Sequence, residues 1–302
     1  MANDWRSLIE RGVESWNRER AAQPLMVPDL SGEDLHGLEL AGINFEDADL
    51  SAVNLAGANL ENANLADARL VQANLAESNL KNASLISADL LGADLIAADL
   101  AGARLSGVHL KGANLGRARL PGAILRSSES GHGCEVGPAV MPLSLAEAAD
   151  FSRAEGSGID INNSCLIGSI LAGASFAGAN FTGSELKRTS LRGADLEEAN
   201  LTGVVLAYAD LSGARLVRAN LLRADLYSAL IEDADFAEAD LMEADLFMAR
   251  IRGSDFSRAS FKGANLFRVE FRDCRVEDAD FTGANLFQAS FPGSPLGRVK
   301  GA

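Results

Sequence analysis

The sequence predicts an all-β solenoid in which the chain turns a corner at every fifth residue, and three patterns indicate this. Leu or Phe recurs at every fifth position over most of the 302 residues. A small residue, most often Ala, lies two positions before most of these central residues. Gly is frequent two positions after them, where it suits a backbone conformation that other residues adopt at a cost. The central and small residues of each repeat are therefore expected to point inward.

Ordinary secondary structure would not bury all of these central residues. In an α-helix a step of five residues rotates the side chain by about 140°, so the leucines would spread around the whole helix. In a flat strand the same step sends successive leucines to opposite faces. A corner in every repeat removes both problems, because each five-residue side then presents its own pair of inward residues.

Outward-facing charges indicate how many sides make one coil. At steps of four repeats the charge changes sign each time, through Glu198, Arg218, Glu238, Arg258 and Asp278. If four repeats form one coil, opposite charges become neighbours at the spacing of adjacent strands, which is favourable. The sequence therefore predicts a coil with four sides.

The repeat resembles the pentapeptide-repeat family, whose consensus is A(D/N)LXX. Segments such as ADLSA, VNLAG and ANLEN carry this resemblance, which covers about residues 29–125 and 151–296. It implies a right-handed quadrilateral β-helix. The handedness is an implication of the resemblance alone, whereas the four sides follow from the residue pattern.

Residues 1–28 are predicted to form an N-terminal amphipathic helix and cap. The apolar residues of a helix over 3–20 share one face: Trp5, Leu8, Ile9, Val13 and Trp16. Pro24 and Pro28 end the helix. A solenoid needs its first coil covered, so a capping α-helix is the expected role. A helix that binds a partner is the alternative.

Three segments follow this helix. The first repeat run is predicted for residues 29–125, and the second run with a short tail for residues 151–302. Between them, residues 126–150 are rich in Gly, Ser and Pro and are interpreted as a mid-chain loop.

Two interpretations remain open for the end of this loop. Ser144 and Glu147 have the spacing of a capping box, which would start a short helix near Leu145. Residues 149–153 already fit the five-residue repeat. The boundary between loop and second run is therefore uncertain by about five residues.

The sequence gives no sign of an enzyme, a cofactor site or a metal site. It lacks GxSxG, GxxxxGK[ST], HExxH and paired CxxC motifs. His132 and Cys134 lie together in the loop with only Glu135 nearby, which is too few ligands for a metal ion. Cys274 occupies an inward small-residue position and is predicted to be core. Cys165 is predicted to be a surface thiol.

Composition excludes other classes. The net charge of −15 argues against direct binding to nucleic acid. No apolar run is long enough to span a membrane, and the first residues lack the layout of a secretory signal. Three cysteines are too few for a disulfide framework and fit a reducing compartment. A cytoplasmic location is therefore predicted.

The first candidate site is an aromatic stripe on outward positions. Phe247, Phe267 and Phe287 each follow a central Leu and recur at every fourth repeat. Tyr227 heads the column, and Met248 lies beside it. An exposed apolar patch of this kind usually marks an interface. Association with a second copy is the leading expectation, since dimers are the commonest oligomers. Cover by the loop or the tail is the alternative.

The second candidate site is an acidic collar about one coil long. Between residues 224 and 249 there are eight acidic and no basic residues: Asp225, Glu232, Asp233, Asp235, Glu238, Asp240, Glu243 and Asp245. Stacking against arginines of neighbouring coils is the favoured interpretation. A docking site for a basic partner is the alternative.

Two functions are consistent with these features. The first is a non-catalytic scaffold that binds a protein partner, or itself, through the outer faces of a rigid rod. The second is implied by the family resemblance: an acidic mimic of DNA that binds DNA gyrase or topoisomerase and protects it from quinolones or toxins. B-DNA carries one charge per about 1.7 Å, so a rod of about 60 Å should carry roughly 35 charges. A net charge of −15 is well short of that value.

Overall fold

The computed structural model describes residues 5–125, 149–294 and 300–301, and over these residues the chain winds into a β-helix with 20 residues per coil. Parallel β-bridges join residues that are 20 positions apart on each of four successive sides, as in Asp49↔Arg69, Asn54↔Asn74, Asn59↔Asn79 and Asn64↔Ser84. The β-helical architecture predicted from the repeat is therefore confirmed. Its handedness stays a prediction.

The core is a single narrow column of central and small residues. Leu50 and Leu55 are fully buried, and so are Ala48 and Val53, two positions before them. Burial of each large apolar side chain contributes about 1.5–3 kcal/mol to the stability of the fold. Rings of successive coils stack along the axis, with Phe261 and Phe281 centroids 4.9 Å apart.

The predicted core phenylalanines have one exception. Nine of the ten central Phe residues are fully buried: Phe45, Phe151, Phe176, Phe181, Phe236, Phe256, Phe261, Phe271 and Phe281. Phe291 is only partly buried, because it lies in the last coil, where fewer described residues cover it.

Each corner is a tight turn that explains the position of Gly. In one example, the Val53 N–H donates to the Leu50 carbonyl at 3.2 Å. The third residue of that turn, Ala52, has φ of 55°, and Gly57 at the same place in the next turn has φ of 63°. A left-handed conformation at this position is typical of type II turns and carries no steric cost for Gly.

Where Asp or Asn precedes the central residue, its side chain supports the corner. Asp240 Oδ1 accepts the Met242 N–H at 3.0 Å, and Asn220 Oδ1 accepts the Leu222 N–H at 3.0 Å. This is the Asx turn, in which a short side chain replaces a backbone acceptor. Since either side chain supplies the required oxygen, the repeat accepts Asp and Asn alike.

Two of the four neighbouring pairs in the predicted charge series form ion pairs among the described residues. Arg218 lies 2.8 Å from Glu198, and Arg258 lies 2.7 Å from Glu238. These side chains are largely exposed, so each pair contributes only about 0–1 kcal/mol. The pairs therefore help to set the register rather than to hold the fold together.

Three corners of the C-terminal half are more extended than the others and form a parallel sheet in the order β1-β2-β3. The strands are β1 (Leu230–Glu232), β2 (Arg250–Arg252) and β3 (Glu270–Arg272). In register, Ile231 lies beside Ile251 and Ile251 beside Phe271. This sheet gives one side of the β-helix a flat face.

Buried hydroxyls bridge two of these three corners, those of β1 and β3. Ser254 Oγ accepts the Ala234 N–H at 3.1 Å and donates to the Ile231 carbonyl at 3.2 Å, so it bridges the two groups that an ordinary corner joins directly. Ser294 Oγ accepts the Cys274 N–H at 2.9 Å in the same way. Cys274 is buried, as predicted, and burial raises the pKa of its thiol.

The N-terminal segment forms two helices rather than one. Helix α1 spans Trp5–Glu10 and α2 spans Val13–Ala22. The prediction of one continuous helix is therefore wrong. Gly12 separates the two with φ of 94°, a conformation that no helix contains. Helix α2 ends two residues before Pro24, since the residue before a proline disfavours helical geometry.

Helix α2 packs against the first coil. Trp16 is fully buried, donates its Nε1–H to the Asn44 carbonyl at 2.7 Å and meets the Phe45 ring edge-on at 5.2 Å. The Arg20 guanidinium donates to the Glu46 carbonyl at 2.7 Å. These contacts satisfy carbonyl groups of the first coil that have no coil before them.

The two repeat runs stack directly on each other. Bridges pair residues 36 positions apart instead of 20, on three sides of the coil: Asn114↔Asp150, Arg119↔Glu155 and Ile124↔Asp160. The additional chain between these runs therefore leaves their stacking unchanged. The predicted short helix near Leu145 lies outside the described residues, as do His132, Cys134 and Glu135.

The prediction of Cys165 as a surface thiol is wrong. Its side chain is 3% exposed, and its sulfur is disulfide-bonded rather than a free thiol. Cys165 precedes a central residue and lies beside Glu185 of the next coil, where a small side chain is shielded by its neighbours. Since one disulfide is present, the cysteine count does not indicate a reducing compartment, and the cytoplasmic location stays a prediction.

Substitution of a central residue tests the core assignment. We expect Leu226→Asp to lower the free energy of unfolding by about 4 kcal/mol or more, because it buries an unpaired carboxylate. Leu226 is fully buried. Leu222→Asp is the matched control, since Leu222 occupies an outward, half-buried position of the preceding repeat. Urea unfolding followed by circular dichroism measures both, and equal losses would contradict the assignment.

Substitution of an Asx residue tests its structural role. We expect Asp240→Ala to destabilise the fold by about 1 kcal/mol, because the Met242 N–H loses its acceptor. Asp240→Asn should be close to neutral, since the amide oxygen accepts the same bond. If thermal unfolding shows that Asn is as harmful as Ala, the negative charge of Asp240 matters rather than its acceptor oxygen.

Candidate interaction surface

The four predicted aromatic rings of the stripe stack in one column on the outside of the β-helix. Ring centroids of Tyr227 and Phe247 are 5.6 Å apart, those of Phe247 and Phe267 are 5.3 Å apart, and those of Phe267 and Phe287 are 5.7 Å apart. The two later pairs are nearly parallel, with interplanar angles of 2° and 16°. The four-repeat step therefore brings these side chains together as predicted.

The last ring of the stripe and Met248 are its most exposed predicted members. Phe287 is 67% exposed and Met248 is 45% exposed. Tyr227, Phe247 and Phe267 are half-buried, because each ring shields the next. None of the described segments lies over the column, so its outer edge faces solvent.

A fifth ring extends the column and was not predicted from the sequence. Tyr208 meets Tyr227 edge-on at 5.2 Å and is 54% exposed. It occupies the left-handed corner of its repeat, one position later than Tyr227 does in its own repeat, so a search with a strict period misses it. A search that allows an offset of one would find it. The hydrogen bond between the hydroxyls raises the pKa of Tyr208.

Arginines lie against the stripe. The Arg268 guanidinium carbon is 5.0 Å from the centroid of Phe267, and its Nε–H donates to Gln288 Oε1 at 2.8 Å. The guanidinium carbon of Arg188 is 6.0 Å from the centroid of Tyr208. Cation–π contacts at such exposed sites contribute about 0.5–1 kcal/mol. The stripe therefore combines an apolar surface with fixed positive charge.

A shallow groove of about 450 Å³ runs beside the stripe, across the β1–β3 sheet. Its floor contains Ala249 and Ile251, which are buried, and Met248 forms part of its wall. Arg250 and Arg252 of β2 project along it and are exposed. Sequence reasoning did not find this groove, because the extended corners that flatten this side, two of which are bridged by buried hydroxyls, do not depend on a surface pattern.

Most residues of the acidic collar serve the fold. Four are Asx residues whose Oδ1 accepts a backbone N–H at 2.9–3.0 Å: Asp225, Asp235, Asp240 and Asp245. Glu238 pairs with Arg258, and Glu243 pairs with Arg223, both at 2.7 Å. These contacts are those expected from charge stacking between coils.

Two acids of the collar remain available to a partner. Glu232 and Asp233 are exposed and form no ion pair with any residue that the structure describes. The eight acids are also distributed around one whole coil, so they do not form a single patch. Docking of a basic partner to the collar stays a prediction that depends on Glu232 and Asp233.

Two other kinds of site are absent from the described ranges. Within them, His, Cys, Asp and Glu side chains nowhere form a group of three that could hold a metal ion. Neither helix in these ranges has the length and hydrophobicity needed to cross a membrane.

Comparison with known proteins agrees with the five-residue repeat. The family model for pentapeptide repeats matches eight times, at residues 29–67, 63–100, 88–126, 162–197, 184–222, 194–233, 219–263 and 264–300. No curated protein sequence matches the chain.

Several solved structures are similar to this chain. One is HetL of the cyanobacterium Nostoc, a pentapeptide repeat protein involved in heterocyst differentiation regulation: it is 25% identical, 93% of this chain and 95% of that chain are covered, and the TM-score is 0.26. Another is trypsin-treated QnrB1, a plasmid-mediated fluoroquinolone resistance protein, with 19% identity, coverage of 72% and 89%, and a TM-score of 0.32.

A third solved structure is a pentapeptide repeat protein of the Arabidopsis thaliana thylakoid lumen, with 29% identity, coverage of 40% and 70%, and a TM-score of 0.17. Because all three TM-scores are low, the assignment depends on the repeat matches, which span well over half of the sequence. The chain belongs to the pentapeptide-repeat family.

Proposed function

We propose that this chain is a non-catalytic interaction rod that binds a protein partner through the aromatic stripe, now defined as Tyr208, Tyr227, Phe247, Met248, Phe267 and Phe287. The observation that carries the proposal is the column of five contacting rings on the outside of the β-helix. Outward positions impose no requirement for an aromatic residue. A column of rings at such positions therefore indicates a function other than folding.

The stripe has the physical properties of an interface centre. Aromatic residues and Arg are enriched among the residues that dominate binding energy. Each ring of the stripe is held by its neighbours and by a closed β-helix, so a partner would order few side chains when it binds. A second copy of the chain is the first partner to test, because a stripe that is apolar along its length can pack against its own equivalent.

The non-catalytic part of the proposal is supported by how the polar side chains are used. The Asp and Asn residues that dominate the surface accept backbone N–H groups within the repeat, as Asp225 and Asp245 do. Such carboxylates are held by the fold and are not poised around a common substrate position.

Self-association tests the stripe. We expect the wild-type chain to elute in light-scattering chromatography with twice its 31.7 kDa mass, and Phe267→Glu to elute as a monomer, because a charge at the centre of the stripe would be desolvated on contact. Met242→Glu is the control, since Met242 is an outward, half-buried residue of another side. Monomeric wild-type protein at micromolar concentration would contradict self-association. Loss of the circular dichroism signal in Phe267→Glu would contradict its outward placement.

Mimicry of DNA towards gyrase is the alternative function, and the net charge of −15 is the observation that favours it. The similar protein QnrB1 is a fluoroquinolone resistance protein. In this chain, however, many acids are paired with arginines or hold backbone N–H groups. A supercoiling assay with gyrase and a quinolone separates the two functions, since only the mimic would inhibit or protect.

We further propose that α1 and α2 act as the N-terminal cap of a right-handed coil. The support is the burial of Trp16 against Phe45 and the hydrogen bonds from Trp16 and Arg20 to carbonyls of the first coil. An uncovered first coil would expose its core and its unpaired backbone edge. Trp16 and Arg20 of α2 would cover that edge.

Removal of Trp16 tests the cap. We expect Trp16→Ala to cost about 3–5 kcal/mol, through the cavity it leaves and the lost bond to Asn44. Hydrogen exchange should speed up first in the coil nearest the helices, residues 29–48. Leu25→Ala is the control, since Leu25 is 97% exposed. Unchanged exchange in that coil would show that the helices do not act as a cap.

A further inference from the structure

We propose that the groove on the β1–β3 face binds an acidic, partly apolar peptide segment of a partner protein, with its carboxylates on Arg250 and Arg252. This inference rests on the proposed interaction function and names the chemistry of the partner. It concerns the surface beside the rings of the aromatic stripe, and the two surfaces share only Met248.

Arg250 departs from the pairing found at its position elsewhere in the chain. Several other arginines that precede a central residue pair with an Asp one coil earlier. Examples are Arg119 with Asp99 at 2.6 Å and Arg215 with Asp195 at 3.3 Å. The residue one coil before Arg250 is Leu230, which offers no charge. The fold therefore places Arg250 without an acidic neighbour on that side.

The neighbour on the other side is already engaged. Glu270 lies beside Arg250 in the following strand, but its Oε1 accepts two hydrogen bonds from Arg272, at 2.9 and 2.6 Å. Within the described residues, Arg250 has no ion pair. Its guanidinium therefore has hydrogen-bond donors that an external carboxylate can use.

Arg252 is in a similar position. It lies in register with Arg272 on one side, so two like charges are direct neighbours, which is unfavourable. On its other side is Glu232, yet no ion pair joins the two side chains among the described contacts. A negative group placed over β2 would relieve the repulsion between Arg252 and Arg272.

Beside Arg250 and Arg252, the groove also offers an apolar contact. Met248, the member of the stripe that lines the groove, is exposed, and Ile251 beneath the two arginines is buried. A segment with alternating acidic and apolar residues could place carboxylates on the guanidinium groups and an apolar side chain on Met248. Arg is well suited to this task, since its planar fork binds carboxylates through two parallel bonds. The positive face is local, in a chain whose net charge is −15.

Fluorescence anisotropy with the full chain tests the inference. The probe is a labelled peptide of alternating Glu and Leu, and the comparison peptide alternates Lys and Leu. We expect saturable binding of the acidic peptide alone, weakened by salt. The double variant Arg250→Glu/Arg252→Glu should weaken it at least about tenfold, which corresponds to about 1.4 kcal/mol. The neutral variant Arg250→Gln/Arg252→Gln should show a smaller loss.

A matched control distinguishes binding in this groove from a general effect of the net charge. Arg117 and Arg153 are exposed neighbours on a distant coil, without an ion pair among the described residues. Arg117→Glu/Arg153→Glu changes the net charge by the same amount and should leave binding unchanged. Equal losses in both double variants, binding of the basic peptide, or binding of a short single-stranded DNA in place of the acidic peptide would each overturn the inference. Thermal unfolding confirms that the variants are folded.

The groove and the stripe can fail separately. If Phe267→Glu disrupts self-association but the acidic peptide does not bind the wild-type chain, the groove inference is wrong and the stripe proposal stands. If the peptide binds through Arg250 and Arg252 while the wild-type chain is monomeric, the groove stands and self-association is wrong.

Discussion

The stacking of each coil on the next, one strand spacing apart, is the constraint on which the rest of this structure depends. Backbone hydrogen bonds run between coils on every side, as from the Leu50 N–H to the Arg69 carbonyl at 2.8 Å. At that spacing the interior is too narrow for more than one large and one small side chain per repeat. The apolar period of five, the small residue and the left-handed corner are all consequences of this geometry.

The same constraint limits where function can be encoded. Two residues of each repeat are core, a third supplies the Asx oxygen and a fourth adopts the left-handed corner conformation. The position after the central residue is the one least restricted by the fold. Phe247, Phe267 and Phe287 all occupy it, and so does Arg252. An aromatic ring at this position, or an arginine such as Arg250 that has no ion pair among the described residues, is therefore informative about binding.

The sequence predicted those features that repeat and missed those that occur once. Leu50 and Phe247 could be placed inward and outward because dozens of repeats specify the same geometry. The division of the N-terminal segment at Gly12 and the burial of Cys165 each depend on a single local contact, so the repeat gives no information about them. Tyr208 joins the stripe from a neighbouring corner position, and a strict period cannot show that.

The 36-residue step between paired residues such as Asn114 and Asp150 has a consequence for how this chain can change in length. Because the described residues before and after the additional chain pair on the same sides of the coil, every later column stays in phase. Loss or gain of a single repeat inside a run would preserve the core but turn all later columns by one quarter of the circumference. The stripe would then face a different direction from α2. The direction that the stripe faces relative to α2 therefore depends on the number of repeats between them, and it is restored by every addition of four repeats. It does not depend on the length of the loop between the two runs.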